Sequence, residues 1–155
     1  MSARYSFLIG LLLVLNSVGF SQQEVPKSLN ILIDQWHIDA ANANFTSYFS
    51  AVSDQFVFLG TAPGERWEKG AFESFCKPYF DKGKAWEFKP SERFWMFSAD
   101  KKTAWFDENL ATWMGGCRGS GVCELVNGDW KISYYNLTVL IENEKIQQFI
   151  KLRNP

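Results

Sequence analysis

His37 is the only histidine in the chain. Apolar residues at Leu29, Leu32, Ile33, Trp36 and Ala40 recur with helical spacing, and His37 falls beside Ile33, Trp36, Ala40 and Ala41 at the edge of that stripe. An imidazole placed there points inward, and because it both donates and accepts near neutral pH it is the natural acid or base. A second chemical set lies on the run Thr103 to Leu110. Alternation puts Trp105 and Asp107 on one face of that strand and Phe106 and Glu108 on the other. One carboxylate must therefore face inward, and desolvation among aromatics is expected to raise its pKa toward the range that proton transfer requires. His37, Asp107 and Glu108 form the candidate catalytic set, and spacing alone does not choose between the two carboxylates. Each has a plain structural alternative: a histidine bonded to a backbone carbonyl, or a carboxylate that is solvated or ion-paired, with Arg118 the obvious partner.

On the following strand Arg118, Ser120 and Val122 share a face, and Cys117, Gly119, Gly121 and Cys123 share the other. Arg118 orients an anionic ligand through its planar fork or pairs with Asp107 or Glu108. The two glycines signal a bulge or the close approach of a neighbour. The Gly-Ser-Gly run is neither a phosphate loop nor a nucleophile elbow, since no strand-to-helix turn follows. Aromatic residues make up 17% of the chain and include seven tryptophans, a supply rich enough to line a cavity as well as fill a core. Trp36, Trp67 and Trp105 are the candidate ligand-facing indoles. Trp67 precedes the third helix, where it closes a cavity mouth or covers the core edge.

These groups need elements to position them. Helices are expected from about Leu29, from about Asn44 with Phe45, Tyr48, Phe49 and Val52 on one face, and from about Lys69 to Phe80, with Pro78 marking a kink or early end. Ser28 stands where an N-cap belongs. A short strand, Phe56 to Leu59, precedes the Pro63-Gly64 turn. From Trp86 onward the period becomes two, with runs at Trp86 to Phe88, Glu92 to Ser98, Thr103 to Leu110, Gly116 to Val126 and Trp130 to Ile141. Hairpin-length connections, including Asn127-Gly128, make these an antiparallel sheet. A short polar helix, about Asn143 to Lys151, follows. Helices first and a sheet afterwards give an α+β domain whose helices cover one sheet face.

Arg4 followed by the apolar run Phe7 to Leu15 and by small residues at Gly19 and Ser21 has the form of a secretory signal peptide over residues 1–21. The run is too short to cross a membrane, and no membrane span is expected after cleavage, so the mature protein is expected to be secreted or periplasmic. Formal net charge is −1 and the pI is about 5.9, which leaves no electrostatic footprint for nucleic acid. Three cysteines without CxxC spacing and one histidine make a poor metal set. Cys117 and Cys123 on one strand would stand roughly 20 Å apart, beyond disulfide reach. No metal and no cofactor is expected.

The helix followed by the FLGT strand, the KPYF helix, and CRGSGV followed by DWKISYYNLT resembles the SnoaL-like domain family of the nuclear transport factor 2-like superfamily. The resemblance runs from Leu29 to Glu144, which assigns residues 22–28 as a lead-in and 29–155 as the domain. It implies a curved antiparallel sheet wrapped round the N-terminal helices, a cone-shaped α+β barrel with an aromatic-walled cavity. It also favours Trp130, Ile132, Tyr134, Asn136 and Thr138 as the cavity face of the last strand, with Tyr134 and Asn136 orienting a small organic ligand. Three functions fit such a domain: a cofactor-independent acid–base isomerase, cyclase or hydro-lyase; a non-catalytic ligand carrier or sensor; or a structural homodimer joined through its convex sheet face. N-terminal sequencing of protein recovered from the native host is expected to read Gln22 first. Intact Met1 in a membrane fraction would overturn the leader assignment.

Overall fold

The computed structural model describes residues 25–153; the leader assignment and the start of the lead-in lie outside them. Helix α1 spans Lys27–Ala41 and follows Pro26, whose φ of −55° suits a helix entry. The helix begins before Ser28, and no side chain caps it. Its buried stripe is Leu29, Ile33, Trp36, His37, Asp39 and Ala40. Helix α2 is the short Phe45–Ser50, and the chain then enters β1, Val52–Leu59. β1 starts earlier than the FVFL run suggests because it pairs with the distant strand β6, Asp129–Val139, a partner that local pattern cannot reveal. Strand β2 is Arg66–Glu68 and helix α3 is Lys69–Phe80, which carries Pro78 in its last turn. Strands β3 (Lys89–Phe97), β4 (Thr103–Thr112) and β5 (Gly115–Val126) complete the sheet. A 3-10 turn, Asn143–Lys145, leads to α4, Ile146–Arg153.

The six strands run in the order β2-β1-β6-β5-β4-β3, forming a curved sheet that does not close. All neighbours are antiparallel except β1 and β6, which are parallel, so the sheet is mixed rather than purely antiparallel. Helices α1, α2 and α3 pack against it, α1 on β6, α2 on β1 and α3 on β1 and β2. Trp86 and Phe88, read as a strand, instead lie in irregular chain before β3 and pack their rings against the core.

Alternation holds along β4 and β5. Ala104, Phe106, Glu108 and Leu110 are buried, as are Cys117, Gly119, Gly121 and Cys123. Along β6 it breaks: the register shifts between Val122 and Cys123 of β5, the extra residue is Ser133, and the inward set becomes Ile132, Tyr135 and Leu137. The strand glycines make room for side chains from neighbouring strands. A Cβ on Gly119 would fall on the Tyr135 hydroxyl and close to the Glu108 carboxylate, and one on Gly121 would fall on the Phe106 ring. Cys76, Cys117 and Cys123 are all buried and free, and burial pushes the Cys123 thiol up to about 12. Gly119→Ala is expected to lose about 1–3 kcal/mol in urea unfolding through overpacking. Gly116→Ala, where a Cβ meets nothing within 4 Å, should stay within about 0.5 kcal/mol.

Candidate functional site

Four side chains from four elements meet in the core around Glu108. From α1, His37 Nε2 lies 2.8 Å from Glu108 Oε1; from β6, the Tyr135 hydroxyl donates to the same oxygen at 3.0 Å. Glu108 Oε2 accepts from Arg93 Nε at 2.9 Å and Nη2 at 2.7 Å. Two donors on each oxygen fill the roughly four acceptor positions of a carboxylate. Glu108 is fully buried and His37 is 4% exposed, so nothing but this network holds the charge in the interior. Arg93 also pairs with Asp34 of α1 at 2.8 Å. Asn30, on the previous turn of α1, accepts from Arg93 Nη1 and, through Oδ1, from Trp95 Nε1 at 2.9 Å.

Burial alone would raise the Glu108 pKa, as the pattern of aromatics suggests. The hydrogen bond and charge of His37 and the guanidinium of Arg93 outweigh burial and hold the carboxyl below its usual range. Glu108 is therefore an anion that only accepts, which assigns the proton to His37 Nε2. Nδ1 donates in the charged ring that supplies this attraction and accepts in the neutral ring, and it has no hydrogen-bond partner among the described residues. Burial, followed by the neighbouring Glu108 charge, drives the Tyr135 phenol well above 10 and keeps it a donor.

An aromatic cleft of about 160 Å³ opens where β1 and β6 end and β4 turns into β5. Phe58 and Leu137 come from the sheet, Trp67 from β2, and Phe72 and Phe75 from α3. Trp86 and Phe88 come from the irregular segment and Trp113 and Met114 from the β4–β5 turn. Two of these rings also touch the polar network. Phe88 meets His37 edge-on with centroids 6.2 Å apart, and Phe58 stacks on Tyr135 at 5.9 Å. Cleft and network are thus separated by single rings.

The structure brings together part of the expected site. Glu108 is the inward carboxylate and contacts His37, and Trp67 lines the cleft from a strand rather than a loop. Trp36 is buried in the core, stacked on Tyr48 at 4.8 Å. Asp107 and the 40% exposed Trp105 lie on the outer face of β4, and Arg118 is exposed on the outer face of β5, away from Glu108. Tyr134 and Asn136 also face outward, because the bulge at Ser133 moves Tyr135 into the place that strict alternation assigns to them. Arg93 was missed altogether. It shares the inward face of β3 with Trp95 and Phe97 by ordinary alternation, beside the register shift between Ser91 and Phe94 where Glu92 has a φ of 48°.

Comparison with known proteins agrees with this architecture. An NTF2-like protein from Cytophaga hutchinsonii superposes with a TM-score of 0.61 at 18% identity, covering 72% of this chain and 95% of that one. An NTF2-like protein of unknown function from Pseudomonas putida gives 0.61 at 9% identity, covering 76% and 87%. A similar protein from Shewanella oneidensis gives 0.60 at 12%, covering 72% and 97%. At these identities the likeness concerns the fold alone. No curated protein matches the sequence. The SnoaL-like domain matches residues 29–142, and with helices packed inside a curved sheet around a buried polar centre, the chain belongs to the SnoaL-like domain family.

Proposed function

We propose that this domain binds a small, largely apolar organic molecule in the aromatic cleft, outside the cytoplasm, and that His37 is the acid–base group beneath it. One observation carries the reading: Phe58 and Phe88 line the cleft and at the same time pack on Tyr135 and His37. Glu108 orients the imidazole through Nε2 and leaves Nδ1 to exchange a proton with a ligand, the arrangement that a positioned general base needs. Such a group serves isomerisation, ring closure or loss of water without a cofactor. Phe88 must move for the ligand to reach it, and Phe88 belongs to the irregular segment before β3, not to a strand ladder. A carrier or sensor role is the second reading, favoured by the complete satisfaction of Glu108 within the protein.

Small aromatic molecules that bind are expected to raise the melting temperature of the native protein, and Trp67→Ala should abolish that shift. If the bound molecule is converted, His37→Ala lowers turnover by roughly 100-fold or more while binding persists. Recovery of every binder unchanged would establish the carrier role, and failure of any small molecule to bind would overturn the proposal. Glu108→Gln is expected to cost about 3–5 kcal/mol, since it breaks a buried ion pair from one side. Because folding lowers the Glu108 pKa, its contribution to stability is complete above the ordinary value of 4.5 and is lost as pH falls through the lower folded value. Urea midpoints measured from pH 7 down to pH 3 should show that loss, and Glu108→Gln should flatten it.

A further inference from the structure

We infer that the ligand of the cleft carries a compact organic cation, an alkylated ammonium group held by tryptophan faces and by Glu65. This inference rests on the cleft reading above and names the chemical class it selects. The cleft presents three indoles, Trp67, Trp86 and Trp113, and its one charged lining residue is Glu65; no lysine or arginine lines it. Aromatic faces attract cations through the ring quadrupole, tryptophan most strongly.

Glu65 is held for the task by its own loop. Its Oε2 accepts from the Ala62 N–H at 2.9 Å, and Gly60 leaves the space that the carboxylate occupies, since a Cβ there would fall on it. One acceptor position is used and the others remain. The nearby bases are engaged elsewhere: Lys69 with Asp54 at 3.0 Å and Arg66 with Glu68 at 3.7 Å. Among the described residues Glu65 has no ion-pair partner. Trp113 supplies a second, independent sign. It stands 82% exposed on the β4–β5 turn and makes no ring contact among the described residues, an arrangement that leaves a large indole face free at the cleft mouth. A neutral apolar ligand would account for the rings but not for a partly buried carboxylate without a counter-charge beside them.

The test compares choline with its neutral isostere 3,3-dimethyl-1-butanol, with 2-naphthol reporting on the cleft itself. Binding is read by tryptophan fluorescence and calorimetry on the whole mature protein. Choline is expected to bind at least about tenfold more tightly than the isostere, and added salt should narrow the gap. Glu65→Gln keeps the acceptor for Ala62 and should remove most of the preference without altering 2-naphthol binding. Equal affinities, binding of 2-naphthol alone, or a preference unchanged in Glu65→Gln would overturn the cation assignment and leave the cleft reading standing. Absence of binding by all three probes would overturn both.

Discussion

A carboxylate with no exposed surface organises this molecule. Glu108 has lost all contact with water, and an ionised group in that position is tolerable only when every lone pair is met by a donor. The donors come from α1, β3 and β6, so the satisfaction of one side chain requires the first helix, an edge strand and an inner strand to take fixed places. Asn30 tightens the same arrangement by receiving both Arg93 and Trp95 on α1. The aromatic core then fills the remaining volume around a polar centre whose geometry is already determined. Gly119 shows how narrow the tolerance is, because the single methyl of an alanine would collide with the Tyr135 hydroxyl.

The same network decides the ionisation of its central group. In many buried sites desolvation and neighbouring charge pull in one direction; around Glu108 they oppose each other, and the cationic partners prevail. The carboxylate is thereby a fixed anchor for the imidazole and not itself a proton donor at neutral pH. Tyr135, whose proton is held tightly for the complementary reason, is likewise an anchor. His37 and Tyr135 are the members of the network that contact cleft-lining rings, Phe88 and Phe58 respectively.

Much of the fold was legible because it is written in local periodicity. The stripe Leu29, Ile33, Trp36 and Ala40 and the apolar side of Lys69–Phe80 are helical patterns, and the alternation of Thr103–Leu110 puts Glu108 opposite Asp107. One error falls where periodicity is interrupted: an inserted residue at Ser133 exchanged Tyr134 for Tyr135. Arg93 keeps the alternation of Trp95 and Phe97, and what the sequence does not report is its partner, since Glu108 meets it only across the β3–β4 pairing. A bulge has no reliable signature in residue type when a glycine does not mark it, so the positions it re-aims are invisible to a count of two. The parallel pairing of β1 was hidden for a different reason: its partner is at the opposite end of the domain.

That pairing has a temporal consequence. β1 has only the three-residue β2 as a close partner in sequence, whereas its other edge awaits β6, with Val52 set against Ile132. Helices α2 and α3 rest on β1 and β2, which adjoin them in sequence, whereas α1 packs on β6 and emerges well before it. Distant contacts of this kind slow folding, and the seat of α1 and the inner edge of β1 are complete only once residues 129–139 are available.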